Sequence, residues 1–175
     1  DNGEWSIRLQ NTGAWRPDTD ADQNLGVPGH VWDNVYADSG SVSTSDRNYK
    51  QNIKSINDRV LDAWANVGYS QFQMKKSVKN KGNENARIHF GVIAQEIAEA
   101  FENHGLNAFD YGIIGYDEWE AEPEEWETIY DDEGNPEEIK IQEAQKAGSK
   151  WSIRADECQF LEMALMRREL NKLKK

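Results

Sequence analysis

A chain of 175 residues, 37% of them hydrophobic, with 32 acidic and 20 basic side chains and a formal charge of -12, has room for one modest core plus an appended segment, not for several enzyme domains. No run approaches the roughly 20 apolar residues that span a bilayer, and the opening DNGEWSIRLQ lacks the charged-then-apolar order of a signal peptide. The single cysteine, Cys158, excludes an internal disulfide and a cysteine-based zinc site. A start without Met reads as the tail end of something longer, and the low apolar content makes burial against other subunits an expectation. The charge is local: residues 117–138 hold twelve acids and no Lys or Arg, which leaves 20 of each sign elsewhere. Such a surface repels phosphate, and no basic stripe with interleaved aromatics offsets it, so nucleic acid is excluded as a partner.

Residues 1–44 read as short strands and turns. EWSIRL alternates Trp5, Ile7 and Leu9 with polar residues, and HVWDNVYA alternates Val31 and Val35 against Trp32 and Tyr36. These strands are too few to enclose a core, so they join other chains or end a larger β structure. From Asn57 the pattern is mixed. NDRVLDAWANVG predicts a helix with Val60, Leu61 and Trp64 on one face and Gly68 as its stop. YSQFQM alternates imperfectly, and ARIHFGVIAQEIAEAFENHG predicts a strand, then a helix from about Val92 that ends at Gly105. AFDYGIIGY reads as a buried strand, EGNP as the turn of a hairpin inside the acidic insertion, and KWSIR as a further strand.

Everything after Arg154 reads as one long helix. Met163, Met166, Leu170 and Leu173 recur at steps of three, four and three, the spacing of a coiled-coil seam. Cys158, Leu161 and Leu165 form a second apolar row. Under two heptads leaves two readings open: one amphipathic helix lying on its own domain, or a short bundle of identical helices.

Metal chemistry finds little footing. DTDADQNLG places Asp18, Asp20 and Asp22 at alternate positions, but Gln23 and Gly29 stand where a calcium loop needs Gly and Glu, and DDEGN at Asp131 reads as a turn. His30, His89 and His104 lack ligand spacing, so neither a metal nor a cofactor is expected. No Gly-rich phosphate loop or nucleophile elbow is present either. What remains is VSTSDRNYKQNI, with a hydroxyl at Ser45 and an amine at Lys50. A Ser with a Lys base is a nucleophilic pair, but at a Lys pKa of about 10.4 fewer than roughly one amine in a thousand is neutral at pH 7, so something must fold over the pair. Five residues span about 500° of helix or about 16 Å of strand, and neither brings the side chains together. They meet only if the chain bends at Asp46, Arg47 and Asn48.

TSDRNYKQNI, HFGVIAQEI, GLNAFDYGII and WSIRADE, the last leading into a terminal helix, together resemble the peptidase S74 family. Its members are C-terminal intramolecular chaperone domains of phage tail fibres, tailspikes, neck appendages and endosialidases, and also occur in myelin regulatory factors. The resemblance covers about residues 44–175, and NLGVPGHVWDNVYADSG before it is similar to the end of a phage fibre stem. It implies an α+β fold: a short β-rich stem end at residues 1–44, then a small mixed domain at residues 45–175 with a long C-terminal helix, assembled as an intertwined homotrimer. It also implies a single-turnover serine endopeptidase. Three copies fold the stem, and each then cuts itself between Thr44 and Ser45, with Ser45 as nucleophile and Lys50 as general base. Gln95 and Arg154 are candidate oxyanion donors, and Asp46 caps a helix or orients Lys50. Met163, Met166, Leu170 and Leu173 become the trimer helix.

The implied partners are the chain itself and its stem, with no membrane and with a host receptor reached only through the mature fibre. Assembly is expected in the host cytoplasm, with the stem kept in the virion tail and the chaperone released. The alternatives are an uncleaved trimerisation domain and a receptor-binding tip that uses Trp119 and Trp126. The acidic insertion sits where other members have a shorter connection, and no catalytic role is expected of it.

Overall fold

The computed structural model describes residues 7–9, 15–17, 24–32, 35–38, 45–130 and 133–174. In chain order, β1 (Ile7–Leu9) and β2 (Trp15–Pro17) pair antiparallel, and a 3-10 turn at Arg47–Tyr49 precedes α1 (Asp58–Trp64). Then come β3 (Ser70–Gln73), α2 (Lys75–Lys81), β4 (Ile88–Gly91) and α3 (Ala94–Glu102). A second 3-10 turn at Ala108–Asp110 leads to β5 (Ile114–Trp119), β6 (Glu125–Tyr130), β7 (Pro136–Gln142), β8 (Gly148–Ile153) and α4 (Ala155–Leu173). The described strands pair two by two: β3 with β4, β5 with β8 and β6 with β7. Helices and strands mixed in this way, with a helix at the C-terminal end, make the fold α+β. The chain divides into two compact units, Asp1–Ser41 with Trp119–Gly148, and Val42–Glu118 with Ser149–Lys175.

The second unit holds the core. Asn57 starts α1 by accepting the Arg59 amide at 2.9 Å, which satisfies one of the amides that a helix start leaves open. The helix buries Val60, Leu61, Ala63 and Trp64. Apolar spacing on α3 buries Ala94, Ile97, Ala100 and Phe101, and Ile113, Ile114 and Cys158 complete the cluster. Phe101 meets the edge of Tyr111 at 5.4 Å between ring centroids, a favoured aromatic geometry. Gly105, at φ +62°, lies just past α3, where the Arg59 guanidinium bonds the carbonyls of His104 and Gly105 at 2.6 and 3.4 Å. A side chain there would strain the backbone and collide with Arg59. Arg168 of α4 reaches Asp62 at 2.8 Å and Asp58 at 3.4 Å, which ties α4 to α1.

In the first unit, Val27 and His30 exchange backbone hydrogen bonds at 3.1 and 3.0 Å across a turn in which Gly29 has φ +85°. Glu122 and Gln145 exchange a pair at 2.8 Å, the Trp119 indole N–H donates to the Lys146 carbonyl at 3.0 Å, and His30 lies 3.8 Å from Glu122. A Cβ on Gly29 would run into Gln145 and Trp119, so residues 24–32 lie directly on the base of the acidic insertion.

Two expectations from pattern are corrected. The described part of HVWDNVYA forms no strand beyond the bridge at His30: Val31, Trp32, Val35 and Tyr36 stay exposed, because alternation supplies a face but no neighbour to take the backbone hydrogen bonds. AFDYGIIGY is not one strand, since Asn107 caps a 3-10 turn by accepting the Phe109 amide at 3.1 Å, and the strand begins only at Ile114. The EGNP hairpin is present as β6 and β7, with Gly134 at φ +83°. The Asp18, Asp20 and Asp22 run and Asp131 lie outside the described residues.

Candidate active site

The bend between Ser45 and Lys50 is built from one side chain and two amides. Asp46 Oδ1 accepts the Asn48 amide at 2.9 Å, the Tyr49 amide donates to the Asp46 carbonyl at 3.2 Å, and the Lys50 amide donates to the Arg47 carbonyl at 3.1 Å. This is the local bonding that lets Asp favour helix and turn starts. The turn reverses the chain, so Lys50 Nζ donates to Ser45 Oγ at 2.8 Å although neither helix nor strand would bring them together. Asp46 therefore acts as the cap of the turn that carries the pair. Ser45, Asp46 and Lys50 are exposed in the single chain, and the residues that follow also face solvent as far as Arg59.

Two residues beyond Lys50, Asn52 sits at φ +56°, the one non-glycine with positive φ among the described residues. Asn tolerates this left-handed conformation better than most side chains, so an Asn after a turn motif is the signal that singles it out. Gln95 lies exposed in the first turn of α3, and Arg154 stands at the N-terminal end of α4, where its amide donates to the Ile113 carbonyl at 3.0 Å. Neither side chain hydrogen-bonds Ser45 or Lys50 among the described residues. Thr44 lies outside the described residues. Burial pushes the Cys158 thiol up, which makes it a poor nucleophile.

The terminal helix turns its seam outward. Met163, Met166, Leu170 and Leu173 are 52%, 54%, 55% and 84% exposed, while Cys158, Leu161 and Leu165 pack on the core. The seam thus lies mostly open to solvent in the single chain. No group of three or more metal-binding side chains is found among the described residues.

A solved structure of a novel intramolecular chaperone is 52% identical to this chain, with a TM-score of 0.61, and the match covers 73% of this chain and 99% of that one. The Peptidase S74 family model, described as chaperone of endosialidase, matches residues 45–106. The chain belongs to the Peptidase S74 family. A tail spike protein of Escherichia virus K5 is 35% identical over 179 residues, matching 98% of this chain and 27% of the relative. The chain thus spans 27% or less of the length of curated relatives such as this spike. The carboxy-terminal domain of the bacteriophage T5 L-shaped tail fibre, solved with its intramolecular chaperone domain, superposes with a TM-score of 0.74 over 96% of this chain and 40% of that one. At 23% identity, that likeness shows a shared fold and nothing further.

Proposed function

We propose that the chain is an intramolecular chaperone for a phage fibre or spike stem, that it drives homotrimerisation, and that it then frees itself by cutting between Thr44 and Ser45. The observation that carries this reading is the 2.8 Å approach of Lys50 Nζ to Ser45 Oγ at the residue where the family match begins. The domain limits follow the same logic, with a stem end at residues 1–44 and the chaperone at residues 45–175. The chaperone relative supports this limit, because nearly all of its length corresponds to 73% of this chain, close to the share that follows Thr44.

In this mechanism the Ser45 oxygen attacks the Thr44 carbonyl carbon while the neutral Lys50 amine takes the hydroxyl proton. The Thr44–Ser45 C–N bond breaks, the Ser45 nitrogen leaves with the proton that Lys50 carried, and water then hydrolyses the Thr44 ester on the Ser45 oxygen. An attacking group adjacent to its target bond gains an effective-molarity advantage of roughly 7 to 11 kcal/mol when aligned. A neutral Lys50 needs a dry setting, and in the single chain both residues are exposed. Assembly supplies that cover, so cutting follows trimerisation. The exposed seam of α4 supports the same order of events. Gln95 and Arg154 remain the oxyanion candidates, to be brought to the pair by assembly. No cofactor is needed. The chaperone works in the host cytoplasm during assembly, and the stem remains in the virion tail to meet the host receptor.

The test is intact mass after expressing a longer chain that includes the natural stem, alongside Ser45→Ala. Wild type splitting at Thr44/Ser45 while the variant stays whole supports the reading. A correctly folded wild-type trimer that stays whole means an uncleaved fibre tip.

A further inference from the structure

The chain around Lys50 changes direction twice, for two different physical reasons. Before it, the 3-10 turn at Arg47–Tyr49 is closed by the Asp46 side chain and by backbone hydrogen bonds. Lys50 itself is extended, at φ −121° and ψ 144°. After it comes Asn52 at φ +56°, and no hydrogen bond accounts for this second bend. Residues 51–56 are all exposed and make no hydrogen bond to any described residue. The Asn52 side chain therefore does not lock its own backbone, and the direction of the segment rests on the conformation of one residue.

That direction matters because the far end of the segment is tied to the helices. Ser55 and Ile56 line a groove with Leu61 of α1 and with Phe160 and Met163 of α4, and Asn57 caps α1. With that end held, a change of φ at Asn52 moves the other end, which is the turn that carries Lys50 onto Ser45. L-residues other than glycine disfavour the left-handed region, with Asn among the most tolerant and β-branched residues the least. A strained conformation that no local bond offsets, two residues from a reacting pair, points to a role at that pair.

We propose that Asn52 is a positioning residue for the cut: its left-handed backbone turns the chain just after Lys50 and so holds the amine on the Ser45 hydroxyl, with the Asn52 side-chain amide taking no part. This rests on the self-cutting reading above and adds the backbone conformation on which the pair depends. It makes the cutting rate follow how readily residue 52 enters the left-handed region, not how polar its side chain is.

The experiment expresses the chain with its natural stem in four forms: wild type, Asn52→Gly, Asn52→Gln and Asn52→Val. Intact mass at intervals after induction gives the cutting rate, sedimentation gives assembly, and thermal melts give stability. Glycine keeps the backbone and removes the amide, so Asn52→Gly is expected to cut within about threefold of wild type. Glutamine keeps an amide and valine does not, but both resist the left-handed region, so both variants are expected to assemble and melt like wild type yet cut roughly 5- to 30-fold more slowly, with Val the slower. Equal rates in all four forms overturn the inference, as does a slow Asn52→Gly beside a fast Asn52→Gln, which would assign the role to the amide. Asn52→Gln and Asn52→Val chains that fail to assemble also overturn it, marking residue 52 as a folding position. In each of these cases the wild type still cuts and the self-cutting reading stands. A correctly folded wild-type trimer that stays whole overturns both.

Discussion

The Trp64 indole N–H donates to the Glu162 carboxylate at 2.9 Å, so the largest fully buried side chain of α1 is fastened to the outward half of α4. Trp64→Phe keeps an aromatic ring in the core but removes the donor. It is expected to destabilise the domain by about 1–3 kcal/mol, through the lost hydrogen bond and the small void left by the shorter ring, measurable as a lowered melting temperature.

The same carboxylate contributes to a titration. Partial burial, reinforced by a hydrogen bond and charge from Glu162, pushes the Tyr69 hydroxyl up from 10 to about 12. The folded protein then holds this proton more tightly than the unfolded chain does, so the stability it brings is complete below pH 10 and is lost as pH rises to about 12. Tyr69 is 64% exposed, so water screens much of the effect and the fall is smaller than the full shift implies. Thermal melts of wild type across this window are expected to decline more steeply than those of Tyr69→Phe; parallel curves would remove Tyr69 as the cause.

At the candidate active site, Lys50→Ala and Lys50→Arg are both expected to assemble but stay uncut. Alanine has no base, and an arginine is always charged, so it cannot accept the Ser45 proton. Mass spectrometry of the stem-bearing chain gives the cut fraction, and size measurement gives the assembly. An unfolded Lys50→Arg protein would mark Lys50 as structural.

Asp46 separates capping from charge. Asp46→Asn keeps an oxygen for the Asn48 amide and is expected to cut at close to the wild-type rate. Asp46→Ala loses the cap, worth about 0.5–2 kcal/mol, and is expected to cut roughly 2- to 30-fold more slowly. If Asn behaves like Ala, the negative charge on Asp46 matters instead.

Replacing residues 120–144 by a short Gly-Ser link is expected to leave the core helices folded and the cut intact, since no member of the candidate site lies in the insertion. Circular dichroism and intact mass check this, and a stem-bearing chain that no longer cuts would give the insertion a role in the reaction.

How far these features could be read from sequence varied with their physical origin. α4 was legible because one helix carries two apolar rows, and the β6–β7 hairpin because EGNP names its own turn. α2 left no trace: KKSVKNK offers Val78 alone as an apolar anchor, so no amphipathic period can emerge. The need for a bend between Ser45 and Lys50 followed from spacing, but its form, a 3-10 turn capped by Asp46 and followed by a left-handed Asn52, depended on backbone bonds that spacing does not encode.

The division of α4 between an inward and an outward face has a practical cost for a lone copy. Folding half-buries Leu161 and Leu165 but leaves Met166, Leu170 and Leu173 largely uncovered, so a correctly folded chain still presents an apolar stripe. The interval between folding and meeting a neighbour is therefore when such a chain is most exposed to off-pathway clumping. Tethering copies along a shared stem would shorten that interval by raising their effective concentration, without altering a residue of the helix.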